Sequence, residues 1–280
     1  MSSPYPVENM DLAGVTEAIS WALGEGWQPG RTDAIPFYAA DPKGFFRSRD
    51  GARTVATLSV VRVGRNFAFV GLYIVDPEYR GRGVGLGLWN EVMSRFDGMV
   101  LGLDAVPEQV RTYASDGFVP AHDNARYTSR RLPPPDAPVP VHPASAVRFA
   151  DLVEFDAAHF FGPRPEFLAK WIEGEGRDAV VTLEGEEITG FAASRLTSAG
   201  HRIGPVFAGD AETARALILD LASRAHGQVA IDIPLDNHAA VDLLTDLGMS
   251  QSFDTTRMYR GDPPDIPLDR VFGITSLELG

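Results

Sequence analysis

Between Leu132 and Ala144 the chain reads Pro-Pro-Pro-Asp-Ala-Pro-Val-Pro-Val-His-Pro. Proline has no N–H to donate and a fixed φ, so six of them in eleven residues exclude a helix and a central strand. A stiff, extended linker over residues 133–143 is expected. It would separate residues 1–132 from residues 144–280, two segments of ordinary domain size. Apolar residues make up 44% of the 280 and charged residues 22%, enough to build a core in each.

The first segment alternates between strand and helix periodicity. Leu12, Val15, Ile19, Ala22 and Leu23 lie at helical spacing, and Gly24 and Gly26 end the run. Residues 45–48 and 54–63 predict strands joined by a turn at Asp50-Gly51, and residues 67–75 form an apolar strand. A glycine-rich segment follows, then a helix with Leu88, Trp89, Val92 and Phe96 on one face. Residues 99–103 predict a strand, residues 110–115 a short helix, and residues 118–132 two closing strands. The second segment repeats the order: strands at 179–183, 188–196 and 202–207, a helix at 214–225, a strand at 229–233, a helix at 240–247, and a strand at 253–259. An internal duplication is expected. The fold class is α/β, as two tandem domains, each a central mixed sheet with helices on both faces.

Several function classes are excluded or disfavoured. There is no cysteine, so there are no disulfides, thiolate metal sites or cysteine nucleophiles. A net charge of −13 argues against nonspecific nucleic-acid binding. No apolar run reaches the ~20 residues of a membrane helix, and Met1-Ser2-Ser3-Pro4-Tyr5 does not read as a signal peptide, so a cytoplasmic protein is expected. Residues 1–132 carry 14 basic and 15 acidic side chains; the remainder carry 11 and 23. Either an anionic ligand on the first half or ordinary solubility accounts for the asymmetry, and the acidic second half suits a cationic amine. The six histidines show no His-x-x-x-His pairing, so no metal is expected. No Gly-x-Ser-x-Gly elbow is present.

The segment Val75-Asp76-Pro77-Glu78-Tyr79-Arg80-Gly81-Arg82-Gly83-Val84-Gly85 lies between a strand and a helix. Its glycines let the backbone approach a ligand, and the helix start offers free N–H groups to a phosphate or pyrophosphate. Gly-Lys-Ser and Gly-Lys-Thr are absent, which removes a P-loop. The dinucleotide fingerprint fails in both registers, because its last glycine would be Leu86 or Leu88.

The segment instead resembles motif A of the GNAT superfamily, the GCN5-related N-acetyltransferases, as Arg80-x-x-Gly83-x-Gly85 preceded by Val75-x-Pro77. Tyr113-Ala-Ser-Asp-Gly117-Phe118 resembles the family's Tyr-x-x-x-Gly-Phe on the next helix. Over nearly its whole length the chain is similar to tandem bacterial GNAT proteins, in Gly26-Trp27-Gln28-Pro29-Gly30, Arg202-Ile203-Gly204-Pro205-Val206-Phe207, Arg257-Met258-Tyr259-Arg260-Gly261 and the ending Glu278-Leu279-Gly280. The second copy lacks the motif: Pro205 removes an N–H and Asp210 would oppose a pyrophosphate.

The resemblance implies transfer of an acetyl group from acetyl-CoA to a primary amine of a small molecule or peptide, with one cosubstrate site in the first copy. The backbone of Tyr73, Ile74 and Val75 would hold pantetheine. The segment Arg80, Gly81, Arg82, Gly83, Val84 and Gly85 would hold pyrophosphate, with Tyr113 as acid for the departing thiolate. Where some relatives carry a glutamate base, this chain has Phe69. Asp33 is the first candidate to orient the amine, followed by Glu278 and the Gly280 carboxylate, with His122 and His201 behind them. A non-catalytic acyl-CoA-binding or sensory protein, and an enzyme for a larger acyl group, stay open. The oligomeric state is not addressed by the sequence.

Overall fold

The computed structural model describes residues 5–136 and 139–280. Residues 1–4, part of the expectation about the start of the chain, and Ala137 and Pro138 of the proline-rich stretch lie outside the described residues.

The first half contains β1 (Val7–Asn9), α1 (Leu12–Gly24), α2 (Ala34–Ala40), β2 (Phe45–Asp50), β3 (Arg53–Val63), β4 (Phe67–Val75), α3 (Val84–Met93), β5 (Val100–Ala105), α4 (Val110–Ser115) and β6 (Val119–Ser129). The second contains β7 (Val141–Pro143), α5 (Phe149–Ala157), α6 (Pro165–Trp171), β8 (Arg177–Glu184), β9 (Glu187–Leu196), β10 (Gly200–Ala208), α7 (Ala211–Arg224), β11 (Gln228–Pro234), α8 (His238–Asp246), β12 (Ser250–Arg260) and β13 (Val271–Gly273). The expected elements are present in the expected order. The helices α2, α5 and α6 and the short strands β7 and β13 are additional; the three-residue strands are too short for an alternating pattern to register. Residues 118–132 hold one 11-residue strand, β6, rather than two. The proline-rich stretch ends as β7, which sits at the sheet edge where a missing N–H is tolerated.

Sheet continuity also differs from expectation. The two halves do not keep separate sheets: one 13-stranded sheet runs β1-β2-β3-β4-β5-β12-β6-β11-β10-β9-β8-β7, with β13 pairing β10. The last long strand of each half, β6 and β12, is exchanged. β12 lies between β5 and β6, and β6 pairs β11. Edge groups left open by one half are thereby met by the other. Helices cover both faces. Leu72 and Ile74 of β4 pack with Val15, Ile19 and Phe37 of α1 and α2, in a core that also holds Leu152 of α5 and Trp171 of α6. Ala68 and Val70 of β4 pack with Leu88, Trp89 and Val92 of α3. In the second half Leu217 and Leu244, from α7 and α8, pack on Ile231 and Ile233.

Within each half one pair of strands is parallel, and each pair parts after four residues. β4 and β5 pair from Phe67↔Val100 to Val70↔Leu103, and β10 and β11 from Gly200↔Gln228 to Ile203↔Ile231. Just past each fork the strand is irregular. Leu72 takes φ 46°, an uncommon value for a non-glycine, and the β3–β4 register shifts there. β10 shifts between Ile203 and Val206.

The end of the chain treats the two forks differently. In the second half β13 pairs β10 through Val206↔Gly273, and the Ile274 N–H donates to the Asp232 C=O of β11 at 2.8 Å. Backbone fills that fork. A Cβ on Gly204 would overlap the Ile274 carbonyl oxygen, so glycine is required there. Replacing Gly204 with alanine is therefore expected to push the tail out of the fork and lower unfolding stability by about 1–3 kcal/mol. Urea denaturation checks this, and an unchanged midpoint would show that the tail is not held there.

Candidate active site

The fork of the first half opens beside the start of α3. Asp76 accepts from the Glu78 N–H at 2.9 Å and closes the turn at Pro77–Tyr79. Gly81 and Gly83 then take φ 72° and 76°, left-handed values that favour glycine, and nothing lies within 4 Å of where their Cβ atoms would be. Gly83 is the N-cap of α3 and has no side chain to offer, so the N–H groups of Val84, Gly85 and Leu86 have no intrahelical acceptor. With the helix dipole behind them they form an anion site. Gly85 has another role: a Cβ there would sit 2.7 Å from Tyr73 Oη and 2.8 Å from Val75 Cγ2, so glycine lets α3 press on β4.

The two arginines of the motif differ. Arg80 folds back, donating Nε to the Val75 C=O at 2.9 Å and pairing with Glu25. Arg82 lies over the Tyr79 ring at 5.5 Å and makes no ion pair with a described residue, so it is the freer cation. At the matching helix of the second half, Asp210 caps α7 by accepting from the Thr213 N–H at 2.8 Å. That helix start is occupied by its own carboxylate.

A cavity of about 380 Å³ follows the fork. Tyr73, Ile74 and Val75 line one side, Tyr113 another, and Trp27 and Glu278 lie among the remaining walls. The Asp76 N–H donates to the Val55 C=O of β3 at 3.0 Å, so strand alternation turns the Val75 and Tyr73 peptide groups toward the fork. Tyr113 sits 5.4 Å from Trp89 and 6.2 Å from Phe118, ring to ring, and its hydroxyl makes no hydrogen bond to a described residue. Burial and the neighbouring Tyr73 push the Tyr113 phenol up, and burial pushes Tyr73 up to about 12. Tyr113 therefore stays protonated through the neutral range.

The expected carboxylates and histidines separate clearly. Asp33 does not line the cavity. It is 0% exposed, accepts from Arg177 at 2.7 Å and Arg195 at 3.1 Å, and also accepts from the Gly30 N–H at 2.7 Å. These three bonds tie the loop after Trp27 to two buried arginines away from the cavity, so the expected amine contact is corrected. Phe69 is a core aromatic stacked 5.9 Å from Phe161. His122 and His201 lie away from the cavity walls. Burial lowers both, His122 to about 4. Gly280 also lies outside the wall, its C=O accepting from the Ser276 N–H at 3.3 Å. Glu278 does line the cavity. Phe253 and Thr255 line it too, and periodicity did not single them out, because they reach the site only through the exchanged strand β12. No group of three metal-ligating side chains occurs among the described residues.

Residues 12–114 match the acetyltransferase (GNAT) family, and residues 152–273 match an acetyltransferase (GNAT) domain. The chain is 33% identical over 281 residues to the holothin acyltransferase of Pseudoalteromonas sp. (strain SANK 73390), covering 100% of this chain and 94% of the relative. Its fold is similar to that of a Pyrococcus horikoshii protein assigned as an acetyltransferase, with TM-score 0.81 and 19% identity over 98% and 95% of the two chains. A tandem GNAT protein from the clavulanic acid biosynthesis pathway superposes with TM-score 0.63 and 15% identity over 93% and 99%.

Removing Asp33 leaves two buried guanidinium groups without a counter-charge. Asp33→Ala should cost about 3–5 kcal/mol of stability, and chemical denaturation measures it. A variant that keeps its stability but loses turnover would instead make Asp33 part of the chemistry.

Proposed function

The chain belongs to the GNAT acetyltransferase family and is an N-acyltransferase; from that premise we propose that it transfers an acetyl group from acetyl-CoA to a primary amine of a small molecule or peptide. The carrying observation is the contrast between the two copies. Only the first combines an open fork with an uncapped helix start and a tyrosine on the fork; the second has its fork filled and its helix capped.

Acyl-CoA supplies the acyl group activated as a thioester. The free N–H groups of Val84, Gly85 and Leu86, with Arg82 beside them, suit the pyrophosphate. Arg80 acts indirectly, tying Val75 to the Glu25 end of α1. Peptide groups of Tyr73 and Val75 facing the fork suit pantetheine and the thioester carbonyl, where preorganised donors stabilise developing negative charge. Ile74 lies between them on the cavity wall. Tyr113, kept protonated, is the donor to the departing thiolate.

The acceptor side is walled by Trp27, Phe253, Thr255 and Leu277, which favours a compact acceptor with apolar surface. Similarity to a holothin acyltransferase places holothin in any acceptor panel. No helix among the described residues is long and apolar enough to cross a membrane; a cytoplasmic location is part of the proposal.

Gly83→Asp sets a carboxylate at the anion site and should weaken acetyl-CoA binding on the order of 100-fold, measured by calorimetry. Tyr113→Phe should keep that affinity and lower kcat by about 10²–10⁴-fold. Wild-type binding without thiol release on any amine would favour a sensory protein; no binding would remove the reading.

A further inference from the structure

The tail that fills the second fork continues to the first. After Ile274, the Thr275 C=O accepts from Arg195 Nη1 at 3.1 Å and its hydroxyl from Arg164 at 2.9 Å. The last five residues close on themselves. Gly280 N–H donates to the Ser276 C=O at 3.0 Å and Leu279 N–H to Ser276 Oγ at 3.1 Å. This knot lies against the bulge of β4, where a Cβ on Gly71 would overlap the Glu278 carbonyl oxygen. Gly71 and Gly204 occupy the same place, one residue past the last parallel pair of their forks. Both are glycine because the tail's backbone crosses there.

The knot places Glu278 among the residues of the cavity wall at 2% exposure, and its two carboxylate oxygens are buried with no hydrogen-bond partner among the described residues. An unpaired buried carboxylate is costly, and the other cavity carboxylates do not share this state. Glu25 pairs with Arg80, and Asp104 is held by Arg257 at 2.7 and 2.9 Å and by Asn124 at 2.8 Å. Among the described residues, Glu278 is the one acid on the cavity wall whose lone pairs are uncommitted.

We propose that Glu278 is the catalytic base of acyl transfer, presented to the acceptor amine by the C-terminal tail across the open fork of the first half. The inference rests on the acyl-transfer reading above. Of the acceptor's three ammonium N–H protons, one passes to Glu278. The freed nitrogen lone pair forms the C–N bond to the thioester carbonyl carbon, and the C–S bond breaks with its electron pair on sulfur. A second proton leaves nitrogen as the amide forms and replaces the one that Tyr113 gives to sulfur. The third stays on the amide, and Glu278 releases its proton to solvent.

Burial raises the Glu278 carboxyl to about 7, against the pull of Arg195 and Arg126 and with Asp33 adding to the rise. The Asp104–Arg257 and Glu25–Arg80 pairs and the tyrosines Tyr73 and Tyr113 share the cavity wall or its support. Because the carboxyl is raised, its basic form fills only as pH climbs through about 7. An alkylammonium titrating near ~10.4 is almost wholly charged there, so removal of its proton has to be catalysed.

The test compares wild type, Glu278→Gln and Glu278→Asp by acetyl-CoA calorimetry and by thiol release with primary alkylamines, holothin and an aromatic amine already neutral at pH 7. Support requires unchanged acetyl-CoA affinity in Glu278→Gln and a fall in kcat/KM on alkylamines of about 10²–10³-fold. It also requires a much smaller fall on the aromatic amine and loss of the wild-type limb near pH 7. Partial recovery in Glu278→Asp would add to it. Full activity and an intact limb in Glu278→Gln, with wild type turning over, would overturn the base and leave the acyltransferase standing. Wild type that binds acetyl-CoA but acylates nothing would overturn both. Should Glu278→Gln fail to melt cooperatively, the wild-type profile decides: a limb near pH 7 that moves in Glu278→Asp supports the base, and a flat profile overturns it.

Discussion

Where two parallel strands part, each leaves a row of peptide groups without partners, and those groups must find them elsewhere. The organisation of this protein follows from meeting that requirement twice with one tail. At the second fork, β13 and Ile274 supply backbone partners to β10 and β11. At the first, the tail's backbone crosses β4 at Gly71, and a cavity follows the strand beyond it. Duplication provides two forks, and residues 271–280 fill one with backbone and leave the other open.

The exchange of β6 and β12 makes this possible. Because β12 pairs β5, Phe253 and Thr255 of the second half reach the first half's cavity. Because β6 pairs β11, Arg126 meets Asp232 at 2.7 Å, and together with Arg202 it donates to the Trp27 C=O, each at 3.1 Å. The loop after α1 is thus fixed by one arginine from each half. Asp33 with Arg177 and Arg195, and Asp104 with Arg257, cross the same seam. Buried pairs of this kind contribute little net stability, since desolvation offsets their attraction. Their geometry instead sets which residues meet: slipping β6 by one residue would move Arg126 to the other face of the sheet.

Much of the fold was legible in the sequence because long amphipathic elements announce themselves. The α1 stripe of Val15, Ile19 and Ala22, the apolar run of β4 and the Leu217–Leu221 face of α7 all lie where their spacing put them. The glycine turn before α3 was legible for a different reason: Gly83 needs a left-handed φ, and few other residues tolerate it. Asp33 was misleading because a carboxylate in a loop carries no sign of its partners. Those partners, Arg177 and Arg195, lie 144 and 162 positions away. Glu278 carried only its place in the ending Glu278-Leu279-Gly280.

The sequence by itself determined the local structure: which segments are helix or strand, where the backbone must be glycine, that the halves are related, and which half keeps the glycine turn before an uncapped helix. These follow from periodicity, φ preference and missing donors, all readable within a few residues. Tertiary structure alone decided that the halves share one sheet, that one fork is filled and the other open, and that Glu278 and Tyr113 line the same cavity. Pairing across a sheet joins residues far apart in the chain, and a strand's side-chain pattern states which face is buried without naming the neighbour.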